Sequence, residues 1–153
     1  MKLNIVLYQP EIALNLGNII RISACFNANL HIIEPCGFPM DMQKIKRASL
    51  DYYDKVKIYR YQDFKEFLTM KAKSNIYLLT TKSVNKYYQS KLDLNGYYIF
   101  GSESKGVSDE VRNKIKNTLT IPLKEDCRSL NLANSVAIIT AEISKQNNYN
   151  NLI

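Results

Sequence analysis

There is one histidine in this chain, His31, and there are three cysteines, Cys25, Cys36 and Cys127. A serine-type hydrolase needs a base beside its nucleophile. His31 lies in an apolar run with no G-x-S-x-G segment near it, so it reads as a packed core residue. The cysteines are widely spaced with no C-x-x-C pair, which excludes a zinc or dithiol redox motif, and no metal is expected. Reduced thiols and a cytoplasmic location are the simplest account of them. No apolar stretch approaches the ~20 residues that span a bilayer. The N-terminal MKLNIVLYQPE has neither the apolar core nor the cleavage site of a signal peptide, so no membrane partner is expected. The dinucleotide fingerprint G-x-G-x-x-G is absent. Gly101 and Gly106 in GSESKGVS have the spacing of a phosphate-binding loop, but Val107 stands where that loop needs lysine.

What is present is charge of one sign. Lysine and arginine total 21 against 14 acidic residues, a net charge of +7. Such an excess favours a polyanionic partner, RNA ahead of a membrane surface. The 153 residues, 46% hydrophobic and 23% charged, suit one globular domain over 1–153.

Strand and helix patterns alternate. Strands are expected at 3–8, 30–33, 56–59, 76–80, 97–100 and 119–122, from their branched and aromatic runs. Helices are expected at 16–27, 41–50, 108–116 and 131–145, and from Asp63 as a cap to about residue 72. The tail at 146–153, rich in asparagine, is expected to fray. Single helices between strands imply an α/β fold with a mostly parallel sheet covered by helices on both faces. Ligands in such folds sit at the carboxyl ends of strands, here the loops after Tyr8, Thr80, Phe100 and Pro122.

Three segments in those loops carry candidate chemistry. Glu103, between Gly101 and Gly106, can accept from a ribose or orient another side chain, or be merely solvated. Asn15, Asn18 and Arg21 recur every third residue on a helix start, a broad polar face for RNA or a partner subunit, or for solvent. Ser129, Asn131, Asn134 and Ser135 gather at the start of the last helix, where unpaired N–H groups favour an electron-rich ligand; capping alone needs only one of them. Lys44, Lys46 and Arg47, followed by Tyr52 and Tyr53, mix cations with aromatic faces, a pattern suited to single-stranded RNA or to a solvated helix.

Together LYQPEIALNLGNIIR, FGSESKG and IPLKEDCRSLNLANS, in this order, resemble the three motifs of the small SPOUT methyltransferases, and most closely the tRNA (cytidine/uridine-34)-2'-O-methyltransferase family. IEPCGF, IKRASLDYY and LLTTK match segments between them, so the resemblance spans essentially the whole chain. Departures include Gln9 for the usual Glu, Ser102 and Lys105 for Pro and Arg, Leu130 and Ala133 for Met and Ser, and Ser49 and Tyr53 for Gly and His. The resemblance implies a C-terminal trefoil knot, an exception to the rule of unknotted chains. It implies a homodimer acting on tRNA, with S-adenosylmethionine as methyl donor and S-adenosylhomocysteine as product. By the same resemblance, cofactor contacts fall on Leu79, Gly101, Ile121 and Ser129. Arg21, Glu103, Ser129 and Asn131 would be the catalytic set, with Arg21 central and reaching the site across the dimer. Asn15, Asn18, Lys44, Lys46, Arg47 and Tyr52 would meet RNA. A ribosomal RNA 2'-O-methyltransferase and a non-catalytic RNA-binding protein on the same fold are the alternatives. Ribosomal relatives usually carry an extra N-terminal domain, whereas the first strand here starts at once.

Overall fold

The computed structural model describes residues 2–38 and 42–153. The helices and strands there are β1 (Asn4–Tyr8), α1 (Ala13–Cys25), β2 (Asn29–Ile33), α2 (Met42–Ser49), β3 (Ile58–Tyr61), α3 (Phe64–Met70), β4 (Ile76–Leu79), β5 (Tyr97–Phe100), α4 (Asp109–Asn113), β6 (Asn117–Leu119) and α5 (Leu132–Gln146). The strands make one sheet in the order β3-β2-β1-β5-β4-β6, and every neighbouring pair is parallel.

Alternation along the strands explains why both faces are covered. In β1, Ile5 and Leu7 point into one cluster with Leu16, Ile19 and Ile20 of α1, Ile45 of α2 and Val136, Ile139 and Ile143 of α5. Val6, between them, points the other way, into a cluster with Phe64 and Phe67 of α3 and Val111 of α4. Strands buried on both faces need continuous apolar runs, which is what NIVLY and YYIF supply. Helices α1 and α2 pack closely: a Cβ on Gly17 would lie 2.3 Å from the Cβ of Ala48.

His31 is fully buried in β2. Its Nε2 is 3.2 Å from Asn4 Oδ1 and its Nδ1 is 2.8 Å from the Tyr61 hydroxyl. The Asn4 amide nitrogen faces three backbone carbonyls, which leaves its oxygen toward the ring. His31 is therefore neutral, with Nε2–H donating to Asn4 and Nδ1 accepting from Tyr61. Burial pushes its pKa down to about 3.

Several boundaries differ from the sequence expectation. β3 begins at Ile58 rather than 56, because Ile58 is the partner of Leu30 while Val56 closes a 3-10 turn over Leu50–Lys55. β6 spans 117–119 rather than 119–122, since pairing with β4 starts at Asn117 opposite Tyr77. α4 ends at Asn113, short of 116. The second helix runs from Met42 to Ser49, and its expected first residue, Asp41, lies outside the described residues. Asp63, Ser108 and Asn131 do cap helices, each accepting a backbone N–H. The tail is tied down instead of frayed. Asn151 is fully buried, and its amide donates to Phe26 O at 2.8 Å and Ser144 Oγ at 3.0 Å. Asparagine amides thus supply the partners that keep the tail on the end of α1; the last residue, Ile153, is exposed.

Among the described residues, no helix is long and apolar enough to cross a membrane.

Candidate active site

The loops after β1 and β5 leave neighbouring strands toward opposite flanks of the sheet, one to α1 and β2, the other to α4 and β6. This is the switch point at which open parallel sheets bind ligands. A cavity of about 620 Å³ opens there, bordered by the loops after β4, β5 and β6 and by the start of α1. That volume is in the range of small-molecule sites.

The loop after β5 is shaped by its two glycines. Ser102 and Gly106 exchange backbone hydrogen bonds of 3.0 and 2.9 Å. A Cβ on Gly101 would lie 2.5 Å from the Gly106 backbone, so only glycine permits this closure. Gly106 has φ +65° and open space around it; there the requirement is conformational.

Closure of that loop presents Glu103 to α1. The helix starts after Ile12, whose side chain offers no cap. Glu103 supplies it from 91 residues away: its carboxylate accepts from Glu11 N at 2.7 Å and Ile12 N at 3.1 Å. It also accepts from the Asn15 amide at 3.2 Å. Asn15 Oδ1 in turn accepts from Asn131 Nδ2 at 3.0 Å, and Asn131 Oδ1 caps α5 by accepting from Ala133 N and Asn134 N. One polar chain, Glu103–Asn15–Asn131, therefore joins the N-termini of α1 and α5 across the cavity edge. The Glu11 carboxylate, held below its ordinary pKa chiefly by a hydrogen bond from the Ser104 hydroxyl, adds a second tie between the same loops.

Leu79, Gly101, Ile121 and Ser129 all line this cavity, as do Glu103 and Asn131. Asn15 lines it too, but it is buried and its amide is engaged at both ends, so it belongs to the frame of the cavity and not to a solvent-facing helix surface. Asn18 and Arg21 are exposed on α1. Arg21 is not among the residues bordering the cavity of its own chain; its guanidinium lies 5.3 Å from the centre of the Tyr52 ring. Glu103 touches α1 and Asn15, so it does not position Arg21 within one chain. Lys55 sits over the same Tyr52 ring, and Lys46 over Tyr53, each at 5.3 Å. Lys44 and Arg47 are exposed on α2 beside them, so the basic and aromatic residues form one patch.

The sequence reading missed Thr81, Lys82, Arg112 and Arg128, which also border the cavity. Lys82 and Arg128 were within reach of it, since they follow strands whose carboxyl ends were already the expected site. Arg112 was not, because it comes from a helix that only the sheet order brings there. Burial pushes the Cys36 thiol up to about 12, above the range of a reactive thiolate. Among the described residues no group of three or more His, Cys, Asp or Glu side chains is placed to hold a metal.

Residues 2–141 match the SpoU rRNA Methylase family. The chain is 37% identical over 149 residues to the tRNA (cytidine(34)-2'-O)-methyltransferase of Escherichia coli strain K12, covering 96% of this chain and 95% of that one. It is 39% identical over 149 residues to the enzyme of the same name from Aeromonas hydrophila, covering 96% of each. A solved structure concerned with 2-OH methylation of C/U34 on tRNA matches with a TM-score of 0.91 at 35% identity, over 96% of this chain and 97% of that one. The SpoU methyltransferase AviRb from Streptomyces viridochromogenes, solved with AdoMet, shares the fold with a TM-score of 0.83 at 20% identity, over 95% of this chain and 58% of that one.

Proposed function

We propose, on the premise that this chain belongs to the SpoU rRNA methylase family, that it transfers a methyl group from S-adenosylmethionine to the ribose 2'-hydroxyl of the wobble nucleotide, cytidine or uridine 34, of tRNA. The observation that carries the reading is likeness along nearly the full length of both chains to enzymes named for that reaction. Membership also implies the trefoil knot in the C-terminal loops, and the cytoplasm is the expected place of work.

The cavity suits such a cofactor. Leu79 and Ile121 offer apolar surface for a flat base, and the glycine-closed loop at Gly101 exposes backbone groups. The one carboxylate at its border, Glu103, is occupied by three N–H donors. Leu79, Gly101, Ile121 and Ser129 would hold the cofactor, which supplies an electrophilic methyl group on a sulfonium.

The remaining work falls to this chain's own residues. Glu103, Asn15 and Asn131 act as positioning residues that fix the loops around the hydroxyl and the methyl donor, and alignment of this kind supplies several kcal/mol of a barrier. Arg21 is the cation that holds a phosphate and stabilises the developing alkoxide. A guanidinium stays protonated in proteins, so its role is charge and a planar fork rather than proton removal; the 2'-hydroxyl proton passes to water as the oxygen–methyl bond forms and the sulfur–methyl bond breaks. Because Arg21 lies outside its own chain's cavity, the reading requires a homodimer in which each Arg21 serves the partner's site.

The test is methyl transfer from labelled S-adenosylmethionine to total tRNA from cells lacking this gene, with the product mapped by nuclease digestion and mass spectrometry. A 2'-O-methylated pyrimidine at the first anticodon position is expected. Label in ribosomal RNA alone would keep the reaction and overturn the substrate, and no label in either would favour a non-catalytic RNA-binding protein.

A further inference from the structure

The cavity border carries more positive charge than a methyl donor can use. Four cations, Lys82, Lys105, Arg112 and Arg128, line it against one carboxylate, Glu103. Two of the four are answered: Arg112 pairs with Asp109, and Lys105 acts electrostatically on Glu11. Lys82 and Arg128 have no acidic partner within ion-pair distance among the described residues. S-adenosylmethionine, with a sulfonium, an ammonium and one carboxylate, is itself a net cation, so two unanswered cations beside it oppose binding unless an anion joins them.

Arg112 borders the same space from α4, its terminal nitrogen held by Asp109. The loop that bears Lys82 is preorganised: Lys82 N donates to Thr80 Oγ1, and Thr118 Oγ1 donates to Ser83 Oγ, which ties the turn to β6. Lys82 and Arg128 thus approach the cavity from the loops after β4 and β6, with Arg112 from α4.

We propose that Lys82 and Arg128 form an oxyanion subsite beside the cofactor's place, filled by a backbone phosphate of the RNA substrate. The proposal rests on the methyltransferase reading and deepens it. The subsite anchors one phosphodiester next to the reacting ribose, and the charge it brings offsets the repulsion between cofactor and cavity. RNA and S-adenosylmethionine therefore bind cooperatively. S-adenosylhomocysteine, which lacks the sulfonium charge, binds the RNA-free protein more tightly than S-adenosylmethionine does.

The test uses the full chain and its Lys82→Gln/Arg128→Gln variant. Affinity for total tRNA and for ribosomal RNA is measured over a salt series, and S-adenosylhomocysteine binding by calorimetry. The double variant is expected to weaken RNA binding at least ten-fold at low salt and to lower the slope of log affinity against log salt by about one, the signature of one lost phosphate contact. S-adenosylhomocysteine affinity should stay within two-fold in the double variant. An unchanged slope in the double variant overturns the subsite. Loss of S-adenosylhomocysteine affinity at unchanged slope overturns it as well, and assigns the cations to the cofactor's carboxylate. If only ribosomal RNA binds and the slope still falls by about one, the subsite stands while the wobble reading fails.

Discussion

Removing the Glu103 side chain should unfasten α1, and the structure sets the size of the effect. The carboxylate is the cap that Ile12 cannot provide, accepting from Glu11 N and Ile12 N. Loss of a good N-cap costs about 1–2 kcal/mol. The Asn15 amide, only 5% exposed, also loses its acceptor, and an unsatisfied buried donor costs about 1–3 kcal/mol. Glu103→Ala should therefore destabilise by about 2–5 kcal/mol, read as a lower urea midpoint at unchanged slope. Because both residues act through one contact, Asn15→Ala and Glu103→Ala should be non-additive, with a coupling of about 1 kcal/mol in a double-mutant cycle. S-adenosylhomocysteine affinity, measured by calorimetry, should fall in both single variants. Additive losses, or a Glu103→Ala protein that is inactive yet as stable as the parent, would refute the capping role and make Glu103 a group of the reaction itself.

Gly101→Ala should abolish measurable S-adenosylhomocysteine binding, because its Cβ meets the Gly106 backbone at 2.5 Å; Gly106→Ala, in open space at φ +65°, should cost only about 1–2 kcal/mol of stability, with thermal melts and calorimetry separating the two. His31 should make the fold acid-sensitive. Its pKa is about 3 folded against an ordinary 6.5, so its contribution is fully present above pH 6.5 and is lost as pH falls through this window, the unfolded chain taking the proton first. Between pH 7.5 and 5 the loss is about 2 kcal/mol at ~1.4 kcal/mol per pH unit, and it should vanish from the difference between those pH values in His31→Gln, checked by urea unfolding. Arg21→Lys should lower turnover at least ten-fold while cofactor affinity stays within two-fold, since Lys keeps the charge but loses the planar fork that lies over Tyr52. Equal loss of cofactor affinity would place Arg21 in the cofactor's cavity.

Much of this protein is written locally in its chain. Strands β1 and β5 are legible because double burial demands an unbroken apolar run, and NIVLY and YYIF are such runs. Asp63, Ser108 and Asn131 are legible as caps because a short polar side chain before an amphipathic stretch satisfies N–H groups within three residues of itself. The cavity's place is legible because alternating strands and helices leave their ligand loops at the carboxyl edge; Leu79, Gly101, Ile121 and Ser129, which line it, are named by the family resemblance and not by that pattern. Distance along the chain marks where legibility ends. The edges of β3 and β6 follow from the register of neighbouring strands, which no local pattern states. The start of α1 depends on a carboxylate 91 residues away, and Asn15 meets Asn131 across 116 residues. The asparagine-rich tail has the composition of a loose end, yet it docks because the end of α1 offers unpaired carbonyls to its amides. Hydrogen bonds between remote residues cost chain entropy that only the assembled sheet offsets, so the elements are local properties of the sequence, while the frame of the cavity exists only in the folded chain.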